Sequence, residues 1–267
     1  HYTSYGNTSN ALSHHSVISL YKDNAGNIWV GTYYGGVNIF NPNRASSHFY
    51  EAELNTPGRL SFPIAGRMSK DKSGDLWVCT EGGGLNRLHD GEFTTYKHQN
   101  GNSTTLGANT LKSIYYHPGN NHLYIGTHLG GMYVFDCGTG TGHSLHHVEG
   151  DATSLPHEIV NDIQPYKDGL AVLTQGGPAF FNLQTEKFSP IVDDVKLQLN
   201  WEYSFETFFI DNKQRAWLAY SAGGLLCVDF VNKTAKRYSS SSSNPSAIGK
   251  FKIVKIFQSS RGEVYFC

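Results

Sequence analysis

The side chains in this sequence best able to hold a small polar ligand recur at nearly constant spacing. Tyr33, Tyr34 and Trp201 offer flat apolar faces that would stack on the C–H face of a sugar ring. Glu81 and Gln175 would exchange hydrogen bonds with hydroxyls, and His15 and His128 would add neutral polar contacts. A second column comprises Ser19, Arg67, Ser113, Asp162, Thr207 and Lys255. Every member is polar between mostly apolar neighbours, so each needs a partner or water. Two readings of that column stand side by side: a wet channel wall, or a set in which Arg67, Asp162 and Lys255 orient a polar or charged ligand. The expected ligand-binding set is therefore His15, Tyr33, Tyr34, Glu81, His128, Gln175 and Trp201 on a rim, with Arg67 and Asp162 deeper. No catalytic residue is assigned.

Metal and thiol chemistry find less support. His14, His15 and His128 lack carboxylates at ligand spacing, so neither a metal nor another cofactor is expected. Cys79, Cys137, Cys227 and Cys267 form no CxxC pair and read as separate thiols packed in strands. A net charge of −1 gives no long-range field, which argues against a nucleic-acid partner. No apolar run reaches the roughly 18 residues of a membrane span.

The elements that would position these residues follow from a repeat. Trp29 and Trp77 stand 48 residues apart, Tyr124 follows Trp77 by 47, Thr174 follows Thr127 by 47, and Tyr265 follows Trp217 by 48. Within each copy, apolar runs alternate with Asp/Asn/Gly turns, as in "SVISLY", "DNAG", "NIWVGT", "YYGG" and "VNIF". Four such strands make an antiparallel meander, and apolar residues on both faces imply a sheet sandwiched between neighbours. The expected fold is all-β: a β-propeller of four-stranded antiparallel blades, five full repeats plus a partial sixth, within a ring of seven. Residues 1–5 resemble the last strand of a preceding blade. The blades would span 12–59, 60–105, 106–154, 155–198 and 199–247, with a partial blade at 248–267. Asp23 and Asp71 resemble calcium-loop fragments, but an aspartate folding onto its own turn explains them. The Gly-Gly pairs read as strand turns rather than phosphate loops. The link into each blade and its turn between second and third strands should share one rim, where ligands enter.

"LSHHSVISLYKDNAGNIWVGTYYGGVNIF" from Leu12 and "LSFPIAGRMSKDKSGDLWVCTEGGGLNRL" from Leu60 share one frame. That frame resembles the two-component regulator propeller repeat. The third copy fits well. The fourth and fifth drift, with Ala171 in the tryptophan place and Gln214 in the place of the turn glycine. The resemblance implies the periplasmic sensor region of a hybrid two-component histidine kinase from polysaccharide-degrading gut bacteria. It implies an inner-membrane protein with a second propeller, a downstream sandwich domain and a kinase elsewhere in the chain. It also implies a glycan-derived oligosaccharide as signal, with a homodimer as a possible assembly. This segment itself would not be an enzyme. The alternatives are a propeller lyase or glycosidase, or a protein-interaction propeller. The glycosidase pattern has Ser-x-Asp-x-Gly-x-Thr-Trp, whereas this chain has Asp-x-x-Gly-x-x-Trp. The charged members leave both acidic and neutral sugars open.

Overall fold

A computed structural model of the chain describes residues 11–41, 47–191, 205–238, 253 and 255–266. The chain forms two compact units, His1–Leu145 and His146–Cys267. All described regular structure is β. Among the described residues no helix is long and apolar enough to cross a membrane.

The first unit holds three sheets, each an antiparallel meander in which sequential strands are neighbours. They are β1–β4 (Val17–Lys22, Ile28–Thr32, Val37–Phe40, Ser47–Tyr50), β5–β8 (Ala65–Lys70, Leu76–Thr80, Leu85–His89, Glu92–Tyr96) and β9–β12 (Leu111–His117, His122–Thr127, Met132–Asp136, Thr141–Leu145). The second unit holds β13–β16 (Val160–Tyr166, Gly169–Thr174, Gly177–Phe181, Phe188–Pro190), β17–β20 (Phe205–Ile210, Arg215–Tyr220, Leu225–Asp229, Thr234–Tyr238) and the pair β21–β22 (Ile256–Gln258, Val264–Phe266). Five sheets thus have the form of propeller blades. The segment 1–5 and most of the link 192–204 lie outside the described residues.

Second strands are buried on both faces, which is why their sequences are mostly apolar on both alternating sets: Leu76–Thr80 has no exposed residue. Trp29, Trp77, Tyr124 and Trp217 occupy one register position, opposite Tyr21, Ser69, Tyr115 and Phe209. Trp29 and Val37 of the first blade pack on Leu60, Met68, Leu76 and Val78 of the second. Trp77 and Leu85 meet Leu111, Leu123 and Ile125 of the third. In the second unit Ala171 and Leu173 meet Phe208, Ala216 and Leu218.

The aspartate turns anchor those indoles. Asp23 Oδ1 accepts from the amides of Ala25 and Asn27, and Oδ2 accepts from Trp29 Nε1 at 3.1 Å. Asp71 accepts from Ser73 and Asp75 amides and from Trp77 Nε1 at 2.8 Å. Asp211 repeats the pattern with Lys213, Arg215 and Trp217 Nε1 at 2.9 Å. Gln214 takes the left-handed conformation (φ 59°) that Gly26 and Gly74 take in the first two copies. The third copy substitutes an amide: Asn120 Nδ2 donates to Tyr124 Oη.

Burial acts to raise the carboxyls of Asp23, Asp75 and Asp211, but hydrogen bonds outweigh it and hold all three below their ordinary value of 3.8. The donors are Asn27 and Trp29 for Asp23, His89 and Arg87 for Asp75, and Trp217 and Arg215 for Asp211. A depressed folded value stabilises the native state fully above the unfolded value. Acid unfolding should therefore set in as pH falls below about 4, and circular dichroism against pH will show it. Asp71→Ala strands the indole N–H of fully buried Trp77 and should cost about 1–3 kcal/mol. Trp77→Ala should cost about 3–5 kcal/mol. Urea denaturation measures both, and wild-type midpoints would contradict the packing described.

Candidate functional site

The rim is built by a threonine. In the first blade Thr32 Oγ1 donates to Gly36 O at 2.9 Å, closing the turn after β2. Thr80, Thr127 and Thr174 do the same to Gly84, Gly131 and Gly177. The residue after each threonine then donates its amide to the carbonyl just before its blade's first strand. These bonds are Tyr33 to Ser16, Glu81 to Ile64, His128 to Thr110 and Gln175 to Ile159. Link and second turn therefore do share a rim in each of these blades. In the first unit the rim is also stitched from blade to blade: Gly36 N donates to Pro63 O, and Gly84 N to Asn109 O.

On this frame stand Tyr33, Tyr34, Glu81 and His128. The Tyr33 and Tyr34 rings meet edge to face, with centroids 4.5 Å apart, and are 40% and 60% exposed. Their mutual hydrogen bond and charge push the Tyr33 phenol above its ordinary value; slight burial and Glu81 add to the shift. Glu81 lies 3.6 Å from Lys112 Nζ. His15 is exposed and stacks on His14 at 4.4 Å. His128 is exposed beside Leu129, itself 65% exposed. In the second unit Gln175 is half-buried at the equivalent turn. Trp201 lies outside the described residues.

The inner polar column acquires a physical cause. In all five described blades the pairing of first and second strands slips at this column, between Val17 and Ser19, Ala65 and Met68, Leu111 and Ser113, Val160 and Asp162, and Phe205 and Thr207. A bulge re-aims side chains and twists the strand. Several of the freed groups bond across blades: Ser19 Oγ donates to Gly66 O, Asn161 Nδ2 to Phe205 O, and Thr207 Oγ1 to Asp162 Oδ2 at 2.8 Å. Asp162 is buried and also accepts from the amide of Ile163, so its carboxylate serves the joint between two blades. Ser113 Oγ is buried without a hydrogen-bond partner among the described residues. Arg67 is half-buried at its bulge, and Lys255 is exposed ahead of β21.

Three rim residues escape a reading of sequence. Phe62 covers Gly82, where an added Cβ would sit 3.1 Å from the ring, so the second blade takes its aromatic group from the link. Leu129 and Tyr34 hold the same turn position, with φ near 65° in both. Lys112 is the unpaired residue of the third blade's bulge. Only knowledge of strand pairing would single it out. Among the described residues no group of three His, Cys, Asp or Glu side chains is placed to hold a metal ion.

The sequence profile named two component regulator propeller matches residues 11–34, the link, first strand and second strand of the first blade. Over those residues the chain is similar to the two-component regulator propeller repeat. Among solved structures, one described as the extracellular domain of a hybrid two component system from B. thetaiotaomicron superposes with a TM-score of 0.77 at 20% identity. It covers 99% of this chain and 34% of its own. A second such domain from the same organism gives 0.69 at 19%, covering 94% and 34%. PorZ, a surface component of the type-IX secretion system of Porphyromonas gingivalis, gives 0.64 at 12%, covering 94% and 39%. At these identities the likeness is one of fold, and the chain spans about a third of the length of these neighbours. No curated protein sequence matches significantly.

Copy two has glycine where Tyr34 and Leu129 stand in copies one and three: Gly82, at φ 134°. A left-handed backbone is costly for a side-chain-bearing residue. Tyr34→Gly and Leu129→Gly should each stabilise the fold by about 0.5–1 kcal/mol, the strain relief less the entropy of glycine. Urea unfolding tests this. A loss of stability would mean that the exposed side chains contribute more by packing than their backbones cost.

Proposed function

We propose that this chain is the ligand-binding segment of an extracytoplasmic sensor in two-component signalling, and that it holds a glycan-derived oligosaccharide on its rim without cleaving it. The observation that carries the reading is the hydrogen bond joining link to turn in the three blades of the first unit. It sets chemically different side chains on one side of a constant frame, which is how a repeat protein makes a recognition surface. Exposed Tyr33 and Tyr34 supply faces for sugar C–H groups, while Glu81 and His128 supply polar edges. The fold likeness to extracellular domains of hybrid two component systems supports the sensor context. In that context the segment faces the periplasm from an inner-membrane protein whose kinase, second propeller and sandwich domain lie elsewhere. The membrane anchor and a homodimer belong to the same proposal.

Modest affinity suits the role, because a sensor must release its signal. Tyr33→Ala and Glu81→Ala should each weaken saccharide binding by about tenfold, the loss of about 1.4 kcal/mol. Lys72→Ala, in the aspartate turn at the opposite end of the blade, should leave it unchanged. Calorimetric titration with a panel of glycan digests, followed by chromatography of the sugars, decides the matter. Turnover lost on mutating Glu81 or His128 would make the chain an enzyme. Binding abolished by the Lys72 change but untouched at Tyr33 and Glu81 would put the site on the other rim.

A further inference from the structure

We propose that the Glu81–Lys112 ion pair, flanked by the Tyr33–Tyr34 ring pair, is the hydroxyl-reading element of this rim and selects neutral saccharides over acidic ones. This deepens, and rests on, the oligosaccharide reading above.

The pair is assembled from two blades by two unrelated devices. Glu81 is fixed by its amide bond to Ile64 O at 3.1 Å, on the turn after β6. Lys112 is the extra residue of the bulge in β9. Its counterparts at the other bulges are Ile18, Gly66, Asn161 and Glu206, so the third blade alone among those described turns a lysine out here.

The geometry is that of an open pair. Lys112 Nζ and Glu81 Oε1 are 3.6 Å apart, whereas a closed ammonium–carboxylate hydrogen bond measures about 2.7–2.9 Å. The two side chains are 32% and 37% exposed. Among the described residues neither charged group makes a hydrogen bond to another side chain. The ammonium thus keeps donors to spare and the carboxylate keeps lone pairs. A vicinal diol laid alongside can accept from Lys112 with one oxygen and donate to Glu81 with its neighbour. Gly36 N, on the turn of Tyr33 and Tyr34, donates to Pro63 O in the link next to Ile64, which holds the ring pair on the same rim as Glu81, available to the apolar face of the same sugar.

Charge decides the class. An anionic group close enough to bond Lys112 also meets the carboxylate of Glu81, and attraction and repulsion nearly cancel. A neutral polyol uses both members of the pair at once and meets no repulsion.

Calorimetric titration of the intact chain with neutral gluco-, xylo- and manno-oligosaccharides and with oligogalacturonides and chondroitin sulfate oligosaccharides tests this. At least one neutral class should bind more tightly than either acidic one, with little response to added salt. Glu81→Gln and Lys112→Met should each weaken it by about tenfold with unchanged urea midpoints, and Glu81→Gln should raise affinity for the acidic probes. The reversed pair Glu81→Lys with Lys112→Glu should regain neutral binding, guarding against a merely structural loss. Acidic probes binding wild type more tightly, or neutral binding indifferent to both single variants, overturns the inference while leaving a saccharide sensor. Binding by neither class overturns that reading and the inference with it.

Discussion

A carboxylate that accepts an indole N–H six residues ahead, buried at Asp23 and Asp211 and half-buried at Asp71, holds this architecture together. The bond recurs at Asp23–Trp29, Asp71–Trp77 and Asp211–Trp217, each time with two turn amides on the other carboxylate oxygen. One side chain thereby satisfies the donors of a tight turn and orients the largest group in the sheet. The indole then faces the adjoining blade, where it displaces water from Met68 and Val78 or from Leu123 and Ile125. Removing the carboxylate would affect turn, strand and inter-blade packing together, because all three depend on the same two oxygens.

The opposite end of each blade works on a different principle. There, in four of the described blades, a threonine hydroxyl closes the turn through a glycine carbonyl, and the following amide ties the turn to the link. A serine–asparagine clamp adds to this: the amides of Ser13 and Ser61 donate to Asn38 and Asn86. All of these bonds use backbone or frame residues. The side chains between threonine and glycine take no part in these bonds, and they differ from copy to copy.

Much of this was legible in the sequence because local chemistry repeats. The Trp29 to Trp77 interval, the Asp-x-x-Gly turns and the alternation of the strands each report structure within about ten residues. The shared rim was legible too, since a meander leaves only one arrangement of link and second turn. The bulges were not legible. An extra residue in one strand becomes visible only when its partner strand is known, so Ser113 and Asp162 stood out as a polar column while Lys112, one position earlier, did not. The contact of Phe62 with Gly82 was hidden for a related reason: the two are distant in sequence, and only three-dimensional contact shows the ring filling the place of a missing turn side chain. Asp162 stood out without its partner in view, because the hydroxyl that donates to it, Thr207 Oγ1, comes from the next blade 45 residues on.

The indole–carboxylate bonds also set what the molecule would look like to light. Three of its four tryptophans are donors in the same kind of bond, and all three are nearly or wholly shielded from water. Their emission is a property of the scaffold, shared by copies whose rims differ, and it is remote from the turn that carries Tyr33 and Glu81. Intrinsic fluorescence from these three indoles is thus a gauge of whether the blades are intact, and of the four tryptophans only Trp201 belongs to the expected ligand-binding set.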